Sequence, residues 1–164
     1  MAKTDLTAQR LREILHYDPD TGEFTWLVPV SQRIRAGARA GTHAKGGYRR
    51  ITLGGYQYLA HRLAWLHVHG TLPVHLIDHI DGITSNNRIS NLRCVTSFGN
   101  QQNQRFAHSN SSSGFLGVGR RHGKWFAQIS SNGMKMHIGM FDTPEAAHAA
   151  YLETKRKLHE TCAI

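Results

Sequence analysis

Residues 76–95 read Leu76-Ile77-Asp78-His79-Ile80-Asp81-Gly82-Ile83-Thr84-Ser85-Asn86-Asn87-Arg88-Ile89-Ser90-Asn91-Leu92-Arg93-Cys94-Val95, and the chain runs on through Thr96 and Ser97 to Gly99-Asn100 and Asn103. Leu76 and Ile77 predict a short buried strand that ends on Asp78-His79. Gly82 and the Asn86-Asn87 pair then return the chain. Asn91 to Val95 predicts a second strand, with Cys94 as a buried small hydrophobe. A helix opens near Ser97, a good cap, and carries Asn100 on its first turn. Two strands and a helix thus bring one Asp, one His and two Asn toward one small site.

That set suits hydrolysis of a phosphodiester. A hard divalent cation takes oxygen ligands, and Asp78 and the side-chain carbonyl of Asn100 supply them. Water and phosphate oxygens complete the shell. His79 is the residue type that draws a proton from water near neutral pH. Asn91 holds the loop, and with it the imidazole, through backbone hydrogen bonds. A lone histidine is more often a hydrogen-bonded core residue; the neighbouring Asp and Asn tip the reading toward catalysis.

Charge supports a polyanionic partner. The 164-residue chain carries a net charge of +9, with a pI near 10.1. Between Phe24 and Met140 the only carboxylates are Asp78 and Asp81, against fourteen Lys or Arg. Such a surface attracts nucleic acid through counterion release, and an acid retained in it is often there to hold a cation. The two cysteines, Cys94 and Cys162, form no CxxC pair, which excludes a zinc ribbon and argues against a disulfide framework. No apolar run approaches the ~18–20 residues needed to span a bilayer. The start MAKTDLTAQR lacks an apolar signal core, so a cytoplasmic, DNA-associated location is expected.

Upstream, Thr7 to His16 predicts a helix capped by Thr7, with Leu11, Ile14 and Leu15 as its apolar stripe. Asp18-Pro19-Asp20-Thr21-Gly22 is a turn, and Phe24 to Val28 a short strand. Residues 31–47, with Arg33, Arg35, Arg39 and Lys45, predict a loop that is either plainly solvated or a phosphate-contacting arm. Gly54-Gly55 joins Tyr48–Leu53 and Tyr56–Ala60 in a hairpin. A helix from His61 to His69 ends at Gly70, with Leu63 and Leu66, joined by Trp65 and Val68, expected toward a core. His67 and His69 are expected to be solvated and His75 to lie at the surface. His61 has equal claims as a helix-start residue or as a neighbour of the site. Arg62 and Arg93 are candidate phosphate contacts.

The ordered set His79, Asn91 and Asn100 resembles the HNH nuclease motif, in the variant whose third position is Asn. The stretch Tyr58-Leu59-Ala60-His61-Arg62-Leu63-Ala64-Trp65 is similar to the segment upstream of that motif in phage and intron-encoded homing endonucleases. The resemblance covers about residues 5–105. It implies a ββα-metal (His-Me finger) fold, His79 as general base, Asp78 and Asn100 as metal ligands, and Asn91 as the central structural Asn. It also implies a phage-encoded enzyme acting in a bacterial host cell. With Asn rather than His at the third position, zinc is disfavoured; Mg²⁺ is the favoured cation and Mn²⁺ the second choice.

Ala107 to Ser113 is a small polar run that reads as a linker. Beyond it, Phe115–Arg120, Lys124–Ser130 and Met134–Phe141 predict three strands separated by His122-Gly123 and Asn132-Gly133. Thr143-Pro144-Glu145 starts a helix that runs to about Leu158. Ala146, Ala147, Ala149 and Ala150 are expected to let it lie close to the sheet, with Tyr151 adding to the packing. Gly117-Val118, Gly123-Lys124-Trp125, Ile138-Gly139-Met140-Phe141-Asp142-Thr143 and Glu145-Ala146-Ala147 together resemble the AP2/ERF DNA-binding domain, whose sheet enters the major groove. Gly119 departs from it, since plant members often carry Arg there. Arg120, Arg121, Lys124, Trp125 and Gln128 are candidate DNA contacts, with Lys135 more suited to phosphate.

The expected class is therefore α+β. Residues 1–106 form a nuclease domain with its core motif at about 76–106, 107–113 form a linker, and 114–164 form a three-stranded antiparallel sheet packed on one helix. The expected function is metal-dependent endonuclease cleavage of double-stranded DNA. The alternative is a sequence-specific DNA-binding regulator that does not cut. RNA is a weaker partner because the sheet lacks a clear aromatic stacking platform. No heptad or other dimer signal is present, so monomer and homodimer both stay open; one active site in a monomer would nick.

Overall fold

Thr7 begins the first helix as expected: its side chain accepts the Arg10 N–H at 3.1 Å, a cap worth about 1 kcal/mol. In the computed structural model, which describes residues 6–32, 34–97, 99, 107, 111–131 and 133–158, α1 spans Ala8–Ile14. It stops two residues short of the expected end. Leu15–Asp18 is instead strand β1, paired antiparallel with β2 (Glu23–Trp26). Leu15 and Tyr17 are buried while His16 is exposed, the period of a strand and not of a helix. The turn between the strands is closed by Gly22, at φ 75°, whose N–H donates to the Asp18 carbonyl at 2.8 Å.

The basic stretch after β2 is not a loose arm where it is described. Trp26 N–H donates to the Ala38 carbonyl and Ala40 N–H to the Phe24 carbonyl, and Ala40 is buried. Arg39 pairs with Glu23. Thr42–His43 (β3) then joins β4 (Arg49–Leu53) and β5 (Tyr56–Leu59) in one antiparallel sheet. Arg33 lies outside the described residues. Helix α2 (Ala60–His69) packs on α1, β4 and β5, and ends at Gly70 with φ 79°. Leu63, Ala64 and Leu66 enter the core with Leu11, Leu15, Tyr17, Phe24, Trp26 and Ile51. Each large side chain so buried contributes on the order of 1.5–3 kcal/mol. Trp65 is half-buried, and Val68 is exposed.

β6 (Leu76–His79) and β7 (Leu92–Val95) form a two-stranded antiparallel sheet, with Asp78 opposite Arg93 and His79 opposite Leu92. Two burial expectations fail here. Leu76 and Cys94 are both exposed, and the register puts them on opposite faces of the ribbon, Leu76 opposite the buried Val95 and Cys94 opposite the half-buried Ile77. The helix expected from Ser97, with Asn100 and Asn103, falls mostly outside the described residues.

The chain divides into two compact units, Met1–Thr96 and Ser97–Ile164. That division falls earlier in the chain than the linker expected at 107–113. In the second unit, β8 (Val118–Arg121), β9 (Lys124–Ser131) and β10 (Met134–Phe141) form an antiparallel sheet in the order β10-β9-β8. α3 (Pro144–Leu158) packs on all three strands. β8 starts at Val118, not Phe115, because Gly117 has φ 74° and the Tyr151 ring lies against its Cα. Thr143 caps α3 through the Ala146 N–H at 3.2 Å. The buried stripe is Ala147, Tyr151 and Lys155, at i, i+4 and i+8; Ala146 and Ala149 face solvent, contrary to expectation.

Alternation along β9 sets the two faces of this sheet. Val118, Ala127 and Ile129 are buried under α3 with Trp125 and Phe141 packed against them. Lys124, Phe126 and Gln128 therefore lie on the opposite face. The register adds Arg121, His137 and Met140 to that face, and Arg121, Phe126, Gln128, His137 and Met140 line a shallow concavity there. Trp125 and Arg120 share the helix-side face, with the guanidinium 5.4 Å from the indole centroid.

Candidate active site

β6 delivers Asp78 and His79 in succession, so their side chains leave opposite faces of the strand. His79 points inward and is only 4% exposed. Its ring meets two others. His61, from the first turn of α2, lies edge to face with it at 5.1 Å, and Tyr48, just before β4, lies 6.0 Å away. Tyr48 and His61 are themselves 5.5 Å apart. Of these, His61 was one of two equal possibilities in the sequence, and Tyr48 carried no signal beyond hairpin membership.

The His61 ring is buried, and its Nδ1 has no hydrogen-bond partner among the described residues. Burial, then the neighbouring His79 and Arg62, lower its pKa from 6.5 to about 4, so His61 is a neutral ring at physiological pH. His67, expected to be solvated, is half-buried and packs on Tyr17 at 5.6 Å and Phe24 at 6.4 Å. Burial, aided by Arg12, lowers its pKa as well.

The loop from His79 to Asn91 is held from inside by Asn91, which is 8% exposed. Its Oδ1 accepts the Asp81 N–H at 3.0 Å, while Nδ2 donates to Asp81 Oδ1 at 2.9 Å and to the Asn86 carbonyl at 2.8 Å. Its backbone carbonyl accepts the Ile80 N–H, and the His79 carbonyl accepts the Gly82 N–H. Asp81 closes this network by also accepting from Ile83 N–H and Asn86 Nδ2. Partial burial pushes its carboxyl up, but those hydrogen bonds and His79 outweigh it, and the net pKa is lowered. Asp81, one of the two acids in the basic span, is thus spent on loop architecture.

On the other face, Asp78 Oδ2 accepts both Nε and Nη2 of Arg93, at 3.0 and 2.8 Å. The pair is partly buried, with 13% and 24% side-chain exposure. Arg93, a candidate phosphate contact, therefore fixes the carboxylate of Asp78 on the strand face opposite His79. Arg62 is half-buried on the first turn of α2. Asn100 lies outside the described residues. Among those described, no three His, Cys, Asp or Glu side chains converge as a ligand set.

Asn87 also belongs to the site, although the sequence showed only an Asn doublet in a turn. It is 1% exposed, and its Oδ1 lies 3.2 Å from His79 Nε2. One of two adjacent asparagines faces inward, and only the fold says which.

Residues 58–105, which carry His61, Asp78, His79, Asp81, Asn87 and Asn91, match the HNH endonuclease family. Among solved structures the chain is similar to one described as "DNA binding and cleavage by the HNH homing endonuclease I-HmuI". Identity is 30%, coverage is 56% of this chain and 51% of that one, and the TM-score is 0.42. The chain thus spans about half the length of that protein. No curated protein matches the chain. No helix among the described residues is long and apolar enough to cross a membrane.

Proposed function

We propose that the chain is a metal-dependent DNA endonuclease of the HNH type, with a ββα-metal active site and homing-type target placement. One observation carries this reading. His79 ends β6 directly after Asp78, whose carboxylate Arg93 anchors, and opens a loop that Asn91 and Asp81 brace from within, inside the segment that matches the HNH endonuclease family. A buried, fixed imidazole is suited to general base catalysis because little reorganisation is needed at the moment of proton transfer.

In this reading His79 takes the proton from the attacking water. Asn91 holds the loop so that the ring stays in register with Asp78. Arg93 keeps the Asp78 carboxylate oriented. The donor chemistry fits a hard divalent cation, since a carboxylate and an amide carbonyl are both oxygen donors. Asp78 and Asn100 would hold that cation, Mg²⁺ by preference, and it would offset charge developing on the phosphate and the leaving 3′ oxygen. Arg62 is a phosphate contact.

The second unit serves as an AP2-like DNA-binding module. Its open sheet face carries Arg121, Lys124, Gln128, Lys135 and His137, a basic surface suited to a DNA groove. Trp125 acts as core, and Arg120 lines its edge. The partner is double-stranded DNA, and a single site favours a nick over a double-strand break.

The test is incubation of supercoiled plasmid, and of linear DNA from candidate hosts, with the chain in Mg²⁺ or in EDTA. The account expects a metal-dependent nicked product. DNA shifted in a gel but never cut, in Mg²⁺ or Mn²⁺, would instead favour a regulator that binds through the open sheet face.

A further inference from the structure

We infer that Asn87 is the positioning residue that sets the tautomer of His79: its amide oxygen accepts the Nε2–H and leaves Nδ1 as the nitrogen with the lone pair. The inference rests on His79 being the general base.

The contact is sealed. Asn87 is 1% and His79 4% exposed, so water does not compete for the 3.2 Å Oδ1···Nε2 pair. A carbonyl oxygen only accepts, so the facing ring nitrogen must carry the proton. A nitrogen aimed at a buried side chain cannot reach a substrate water. Nδ1, which has no hydrogen-bond partner among the described residues, is the one left to do so.

Asn87 is itself held by a hairpin more than sixty residues away in sequence. Tyr17 Oη donates to the Asn87 carbonyl at 2.7 Å in a buried bond. Gly22 lies so close to the Asn87–Arg88 peptide that a Cβ would stand 2.5 Å from both the Asn87 carbonyl carbon and the Arg88 nitrogen. Ile89 N–H donates to the Pro19 carbonyl at 3.3 Å. The β1–β2 turn thus grips the backbone on both sides of the side chain that meets His79. Among the described residues the buried Asn87 Nδ2 has no partner, so the contact to His79 is the one hydrogen bond of this amide side chain.

The test is ¹⁵N NMR of the imidazoles in the full chain, with His79 assigned by its loss in His79→Ala. The inference expects neutral His79 in the wild type to be protonated at Nε2. In Asn87→Leu it expects a mixture of tautomers and a kcat lowered by about 10- to 100-fold, less than the ~10²–10⁴ a general base supplies, with KM changed by less than about threefold. Asn87→Asp keeps an acceptor and should restore the Nε2–H form. Tyr17→Phe loosens the grip without touching the amide and should give a smaller fall in kcat. A wild-type His79 protonated at Nδ1 overturns the inference, and needs no variant to fold. So does an Asn87→Leu protein that melts cooperatively yet keeps wild-type tautomer and kcat. Full activity in His79→Ala would sink the general-base reading instead, while the tautomer measurement stands apart from it.

Discussion

The imidazoles of His61 and His79 meet edge to face, with centroids 5.1 Å apart and planes at 83°. His61 is buried, and its pKa falls to about 4, chiefly through burial. Above pH 6.5 the ring is neutral in both folded and unfolded chains, and its contribution to stability does not vary. Below pH 6.5 the unfolded chain takes up a proton that the folded chain refuses. Stability should therefore fall by up to about 3 kcal/mol as pH drops from 6.5 to about 4. Urea unfolding at pH 7.5 and 4.5 measures this. His61→Phe keeps a ring and should remove most of that part of the slope.

Asn91 makes three side-chain hydrogen bonds inside one loop. Asn91→Ala leaves the Asp81 N–H and the Asn86 carbonyl without their partner. It should cost roughly 2–4 kcal/mol in urea unfolding. Cleavage should fall further than the lost folded fraction explains, because the loop carries His79. Activity tracking the folded fraction alone would limit Asn91 to stability.

Asp78 and Arg93 are a cross-strand pair on the face away from the His79 ring. Asp78→Asn keeps the shape but removes the charge. It should abolish Mg²⁺-dependent cleavage while lowering the unfolding free energy by no more than about 2 kcal/mol. Unchanged cleavage with an unchanged Mg²⁺ requirement would remove Asp78 from the cation site.

In the second unit, the two faces of the sheet separate folding from binding. Trp125→Ala, on the helix side, should cost about 2–3 kcal/mol of stability. Arg121→Ala, on the open side, should leave stability nearly unchanged but weaken DNA binding and lower the salt slope by about 1. Gly119→Ala should disturb the open face, because a Cβ would come within 2.4 Å of the Phe126 ring that covers it. Affinity measured at several salt concentrations, beside thermal melts, checks all three.

Much of this architecture was legible locally. Gly54-Gly55 and His122-Gly123 announced their hairpins because two-residue turns need positive φ, and both pairs adopt it. Thr7 and Thr143 announced their helices through capping. What escaped depends on distant partners. Leu15 continues the spacing of Leu11 and Ile14 as well as it starts a strand, and only pairing with Trp26 decides between them. Trp125 looked like a DNA contact because its neighbours are basic, yet strand alternation under α3 turns it inward. The inward turn of Asn87 is set by Tyr17 and Gly22, which no reading of residues 76–95 contains.

The most direct measurement is single-turnover cleavage of a defined duplex in Mg²⁺, comparing the wild type with His79→Ala at DNA concentrations that saturate both. The account predicts wild-type DNA affinity for the variant and a cleavage rate lowered by at least about 100-fold. Equal cleavage rates at equal occupancy would contradict it.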